Sequence, residues 1–166
     1  TSLGSSSFKS RGSSNSFEIN YVIKIPKNGT VKLSNKYGNI VTGDLASTTD
    51  IFCKYGKVEL SKLNGNANNI QIEYCQNSTI DYIKSGTIEA RYSGLKINDA
   101  GKITLDTNYT DLVIGDGQSV KYDCNYGKFK FEKIGAVTGS GNYLTVNVGE
   151  LLNSLSADLT YSKLNV

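Results

Sequence analysis

Apolar and polar residues alternate along most of the chain from Phe17 onward, and tyrosines interrupt this alternation at regular intervals. The residues four and two places before a tyrosine are mostly apolar, as at Ile51 and Cys53, and so are those three and five places after it, as at Val58 and Leu60. Alternation with a period of two predicts β-strands with one buried face. The tyrosines recur every 17 to 19 residues, at Tyr37, Tyr55, Tyr74, Tyr92, Tyr109, Tyr126, Tyr143 and Tyr161. So regular a repeat predicts a solenoid in which each repeat forms one coil.

A repeat of this length is too short for a helical crossover between parallel strands, which needs a dozen or more residues beyond the strands themselves. The sequence therefore predicts an all-β fold, a right-handed parallel β-helix with about eight rungs. We expect residues 17–166 to form a single β-helix domain and residues 1–16, which are rich in serine and glycine, to form a flexible leader. The chain stops after a strand with no polar capping turn, which predicts either further coils beyond Val166 or self-association through the last rung.

Each tyrosine lies an even number of residues after the apolar positions, so an unbroken strand would place its ring on the same, buried face. The pattern therefore predicts that the rings stack as a structural ladder on the inner side of the coils. The two residues after each tyrosine are typically glycine or short polar residues, such as Gly38 and Ser93. Such residues predict a tight corner with a left-handed backbone at that point. One coil is enlarged by Gln76-Asn77-Ser78, which predicts an irregular loop there.

Composition excludes several classes of function. The chain has no histidine, which excludes nucleophilic catalysis with an imidazole base and the usual zinc sites that contain histidine. Its 18 basic and 15 acidic side chains are dispersed, which argues against nucleic acid as a partner. No apolar run approaches the ~20 residues of a membrane span, and no cofactor is expected. The odd number of cysteines, Cys53, Cys75 and Cys124, favours buried free thiols.

The sharpest candidate chemistry is a row of carboxylates three places before successive tyrosines, formed by Glu89, Asp106 and Asp123 and resumed at Asp158. Stacking in register would place neighbouring carboxylates about 5 Å apart on an exposed face. Their repulsion needs compensation, which calcium or nearby cations can supply. We expect Arg91 to neutralise Glu89 and Lys121 to neutralise Asp123, and we keep calcium binding by the row as the alternative.

Two segments resemble a family of secreted bacterial proteins. They are the entry segment VIKIPKNGTV, residues 22–31, and NKYGNI, residues 35–40, and they are followed by repeated units of the form Tyr-Ser/Gly-x-Leu/Phe. The family comprises auto-transporter adhesin head-like domains and related domains of unknown function, of the kind found in Bacteroides-type Gram-negative gut bacteria. The resemblance extends from Phe17 to Val166 and implies a β-helical adhesin domain that is periplasmic, outer-membrane-associated or extracellular.

The sequence thus supports two functional hypotheses. The first is an exported, non-enzymatic adhesin or cell-surface scaffold whose partner is a protein or glycan at the cell surface. The alternative is a polysaccharide-active enzyme similar to the pectate lyases, because those β-helical enzymes combine stacked acids with a nearby arginine or lysine. The residues that would carry that chemistry are Glu89, Asp106, Asp123, Arg91 and Lys121.

Overall fold

The computed structural model describes residues 29–166, which form a parallel β-solenoid of about eight coils. Residues 1–28, which include the predicted leader and most of the entry segment, lie outside the described residues. Within residues 29–166 there is no helix, and hence none able to cross a membrane. The strands are β1 Val31–Lys36, β2 Asn39–Thr42, β3 Thr49–Lys54, β4 Lys57–Leu63, β5 Asn68–Glu73, β6 Ser78–Arg91, β7 Gly94–Asn108, β8 Asp111–Thr160 and β9 Lys163–Asn165. The longer strands bend through corners, and β8 winds through several coils.

All strand pairs are parallel, and each residue lies beside the residue at the same repeat position in the next coil. Equivalent positions are therefore stacked at the usual strand spacing of about 4.8 Å. The predicted all-β solenoid is confirmed, with repeats that match the tyrosine spacing. Its right-handed sense stays a prediction from the chirality of parallel crossovers.

The apolar positions four places before the tyrosines form a stack that we call the inner column. Register pairs join its members in chain order: Leu33, Ile51, Ile70, Ile88, Leu105 and Tyr122. From Ile51 to Tyr122 these side chains are no more than 1% exposed. Burying one such side chain contributes about 1.5–3 kcal/mol, so the column is a major source of stability.

The large ring of Tyr122 is accommodated by a glycine in the following coil. A Cβ atom at Gly139 would lie 2.5 Å from the ring of Tyr122, which is closer than van der Waals contact allows. Gly139 therefore leaves the space that Tyr122 occupies.

The three cysteines are buried free thiols, as predicted. Burial raises the pKa of Cys53 to about 12, with a further contribution from neighbouring Cys75. Burial likewise raises the pKa of Cys124 to about 11. Because the thiolate is the reactive form, we expect Cys53 and Cys124 to be inert in the folded protein near neutral pH.

The left-handed residue at each corner is the tyrosine itself, and the prediction that the residues after it would take this conformation is wrong. All eight tyrosines of the repeat have φ between 49° and 62°. The left-handed region costs an L-residue about 1–2 kcal/mol, and it is unusual for a bulky side chain. The backbone N–H of Tyr74, for example, donates to the carbonyl of Arg91 in the next coil at 2.9 Å, so the strained residue stays within the ladder of hydrogen bonds.

The residue after each tyrosine turns inward. Glycine at this position allows the backbones of successive coils to approach closely, and a hydroxyl residue forms hydrogen bonds with backbone groups. A Cβ atom at Gly56 would collide with the carbonyl of Gly38 in the preceding coil, so this position requires glycine. At Ser93 the hydroxyl instead accepts a hydrogen bond from the N–H of Cys75 at 3.1 Å and donates to the carbonyl of Arg91 at 2.8 Å. The small residues therefore allow close approach of successive coils or satisfy their buried N–H groups.

Candidate functional site

Eight tyrosine rings stack in an unbroken row along one corner of the solenoid, and we call this row the tyrosine ladder. Neighbouring centroids are 4.6–5.2 Å apart, with interplanar angles of 3–20°. The rings lie on the outer surface and are 40–80% exposed, so the prediction of an inner-face ladder is wrong. The left-handed tyrosine reverses the alternation at the corner, so the ring points outward and the next residue points inward. The ladder consists of Tyr37, Tyr55, Tyr74, Tyr92, Tyr109, Tyr126, Tyr143 and Tyr161.

Stacking helps to offset the backbone strain of the corners. An offset aromatic pair contributes about 0.5–1.5 kcal/mol beyond the burial of its area. One left-handed residue costs about 1–2 kcal/mol, so the gain from stacking is of similar size. The rings can therefore hold the strained corners while remaining on the surface.

The stacking determines how the ladder can contact a ligand. Each inner ring has a neighbour on both faces, whereas within residues 29–166 Tyr37 and Tyr161 have one stacked neighbour each and are 80% and 78% exposed. Along most of its length the ladder presents ring edges and hydroxyl groups, and the faces are covered. It therefore suits lateral contact and hydrogen bonding with an extended partner, and it does not suit stacking of a base or sugar on a ring face.

Lys54 flanks the ladder and is held beside it by an acid in the next coil. Its ammonium group lies 2.5 Å from a carboxylate oxygen of Glu73 and 5.2 Å and 5.7 Å from the ring centroids of Tyr55 and Tyr74. The hydrogen bond with Glu73 raises the pKa of Lys54. Cation–π attraction to the two rings adds to this placement.

The carboxylates that the sequence singled out do form a row, which we call the acidic row. Glu89 pairs in register with Asp106, and Asp106 pairs with Asp123. Asp106 and Asp123 are exposed, and Glu89 is half-buried. Asp158, at the same repeat position in the last coil, is also exposed.

The partners of these carboxylates differ from those expected. Arg91 pairs with Asp106 of the next coil at 2.8 Å and not with Glu89. Its Nη1 also donates to the backbone carbonyl of Asp106 at 3.0 Å, so one guanidinium group bridges two coils. Among the ion pairs of residues 29–166, none includes Lys121, so its predicted pairing with Asp123 is also wrong.

This arrangement limits the chemistry of the row. The hydrogen bond to Asp106 raises the pKa of Arg91, so its guanidinium stays protonated and is a poor general base. In the described part of the chain, no three side chains of aspartate, glutamate or cysteine converge closely enough to hold a metal ion. Calcium binding by Glu89, Asp106 and Asp123 stays a prediction, and an occupied site would need ligands beyond the row itself.

An open groove runs beside the ladder on the side opposite the acidic row. The sequence did not predict this groove, because Lys96 is far from Lys128 and Lys130 along the chain and the lysines look dispersed. The lysines share repeat positions two and four places after a tyrosine, and this alignment could have indicated that they lie on one surface. We call this surface the lysine groove, and its principal lining residues are Gln76, Gly94, Lys96, Asp111, Val113, Lys128, Lys130 and Asn147.

A comparison of the chain with protein-family models, curated proteins and solved structures finds no match. The solenoid therefore rests on the chain's own repeat and strand register. The resemblance to adhesin head-like domains stays a prediction.

Proposed function

We propose that this chain is a non-enzymatic binding domain of an exported bacterial protein, acting as an adhesin or cell-surface scaffold. The exposed tyrosine ladder carries the proposal. A contiguous row of exposed aromatic residues is unusual on a soluble protein and is typical of an interaction surface. The ladder follows the axis of a parallel sheet, so it offers a partner a long surface with few internal degrees of freedom.

The pectate-lyase-like alternative is supported by the register of Glu89, Asp106 and Asp123. Two observations weigh against it. The nearest cation, Arg91, is bound to Asp106 and protonated, and the acidic row lies on an open face of the solenoid. Polysaccharide cleavage usually depends on a walled cleft that positions the sugar and its leaving group. Binding without turnover is therefore the better-supported function.

The test is a binding measurement on a panel of neutral and acidic glycans and on intact host epithelial cells, with turnover followed on the same glycans. The variant combines Tyr92→Asn, Tyr109→Asn and Tyr126→Asn, because asparagine tolerates the left-handed backbone and keeps the corners while removing three rings. Tyr82→Asn is the matched control, since Tyr82 pairs with Asp99 on another face.

We expect the wild-type chain to bind at least one glycan or the cells without converting any glycan to product. The triple variant should lose that binding while remaining folded at the assay temperature, with a melting temperature lowered by its lost stacked pairs, and the control should bind like the wild type. Turnover of a glycan that Asp106→Asn abolishes would overturn the proposal in favour of the lyase.

A further inference from the structure

The lysine groove carries positive charge at Lys96 and Lys128 that no ion pair within the described residues neutralises. Lys96, Lys128 and Lys130 are exposed, and within residues 29–166 neither Lys96 nor Lys128 forms an ion pair. The ammonium group of Lys130 instead pairs with a carboxylate oxygen of Glu132 at 3.0 Å. The groove's carboxylate, Asp111, accepts a hydrogen bond from the backbone N–H of Lys128 at 3.0 Å. The surface therefore favours an anionic ligand.

The shape of the groove follows from the repeat. It crosses successive coils parallel to the solenoid axis and is open to solvent. Gly94 has no side chain to block the path beside Gln76, and Lys96 pairs in register with Val113 of the next coil. Lys130 occupies the same repeat position one coil further, so Lys96 and Lys130 are two coil spacings apart, about 10 Å. A linear ligand with regularly spaced negative charges matches this arrangement better than a compact one.

Neighbouring groups identify the kind of linear anion. The amides of Gln76, Asn77 and Asn147 line the groove and can both donate and accept hydrogen bonds, as sugar hydroxyls require. The hydroxyl groups of the tyrosine ladder lie along the same corner. Single-stranded nucleic acid would instead require exposed aromatic faces for base stacking, and the inner rings of the ladder cover theirs.

From these observations we infer that the lysine groove binds an acidic polysaccharide, a chain of uronate-type sugars lying parallel to the solenoid axis. The carboxylates of the polymer pair with Lys96, Lys128 and Lys130, and its hydroxyls bond to the groove amides and the tyrosine hydroxyls. The inference rests on the proposed binding function and names its ligand class.

The experiment uses the full chain and isothermal calorimetry with polygalacturonate, with dextran as a neutral polymer and poly(U) as a single-stranded nucleic acid. The groove variant combines Lys96→Gln, Lys128→Gln and Lys130→Gln. The matched control, Lys62→Gln, Lys84→Gln and Lys102→Gln, removes the same charge from exposed lysines outside the groove. Melting curves of both variants establish that they fold.

We expect polygalacturonate binding that weakens with added salt, no binding of dextran, and clearly weaker binding of poly(U). The groove variant should lose about tenfold or more in affinity, since each exposed ion pair contributes modestly and three are removed. The control variant should lose less than about twofold.

Three results would overturn the inference. Equal losses in the two variants would mean that net charge alone attracts the polymer. Binding of poly(U) as tight as that of polygalacturonate, with the same dependence on the groove, would make nucleic acid the ligand. Absence of polygalacturonate binding would exclude this ligand class, and the proposed function would still stand if the triple tyrosine variant loses glycan or cell binding.

Discussion

The inner column and the tyrosine ladder come from the same repeat, but they serve opposite environments. From Ile51 to Tyr122 the column is buried, so its side chains contribute stability and contact no partner. The ladder stacks just as regularly on the outside, where its edges and hydroxyl groups meet solvent. The difference shows that side-chain stacking in a solenoid is not evidence of burial. It also separates the part that holds the fold from the part available for binding.

The largest stability loss should come from the apolar interior. Replacing Ile72, which is fully buried, with alanine removes the side-chain carbons beyond Cβ and leaves a cavity between coils, so we expect Ile72→Ala to cost about 2–5 kcal/mol. Denaturation by urea measures the free energy of unfolding. Ile72→Val is the graded control and should cost about 0.5–1.5 kcal/mol. A loss of a few tenths of a kcal/mol for Ile72→Ala would contradict the assignment of Ile72 to the core.

A smaller loss is expected from the ladder. Tyr109 stacks on Tyr92 and Tyr126, so Tyr109→Ala should cost about 1–3 kcal/mol through two lost aromatic pairs. Tyr109→Asn should cost less than Tyr109→Ala, because asparagine adopts the left-handed backbone more readily. Urea denaturation of both variants tests this order. The reverse order would show that strain at the corner contributes little.

Alkaline pH should act on the interior through the thiols. In the folded protein the pKa of Cys53 is raised to about 12 and that of Cys124 to about 11, above the ordinary value of 9.0. Above pH 9 the unfolded chain releases these protons while the folded chain keeps them, so stability falls as pH rises from 9 towards 11. Below pH 9 both states are protonated, and the thiols add no pH dependence.

Thermal melting between pH 8 and pH 11 measures this decline, with Cys124→Ala as the variant. Because tyrosines and lysines ordinarily titrate in this range too, the quantity compared is the slope of melting temperature against pH in the wild type and in the variant. The slope should be less steep in Cys124→Ala than in the wild type. Identical slopes would show that the folded environment does not disfavour the thiolate.

The smallest effect is expected on the acidic row. Arg91 is only partly buried, so loss of its ion pair with Asp106 in Arg91→Gln should cost less than about 1 kcal/mol. The difference from the wild type should shrink at high salt, because salt screens exposed charges. Calorimetric titration with calcium accompanies the unfolding measurement. Calcium binding that Asp106→Asn and Asp123→Asn together abolish would make the row a metal site.

The sequence was sufficient for the coils and the inner column, because positions such as Ile70 and Ile88 repeat with both the right spacing and the right parity. It did not predict the outward tyrosines, because a single left-handed residue reverses the alternation between inward and outward side chains. That reversal leaves no mark in the composition of the repeat. The buried residues after the tyrosines, Cys75 and Leu144, were the available signal.

The candidate site was predicted less well than the fold. The row from Glu89 to Asp123 was correctly aligned, but the partner of Arg91 depends on side-chain reach across coils and not on repeat position. The lysine groove was missed because positions such as Lys96 and Lys130 come to lie on one surface only after the coils stack. The spacing of residues along the chain therefore predicts which repeat positions stack on one another. The ion pairs and grooves of the surface depend in addition on side chains from neighbouring coils.

Tetranitromethane nitration with peptide mass spectrometry tests most directly whether the tyrosine ladder lies on the surface. The structure predicts that the ladder tyrosines are nitrated in the native protein, with Tyr37 and Tyr161 reacting fastest because they are the most exposed. The buried Tyr122 should react only after unfolding. Protection of the inner ladder tyrosines to the same degree as Tyr122 would place the ladder inside the coils and contradict its surface position.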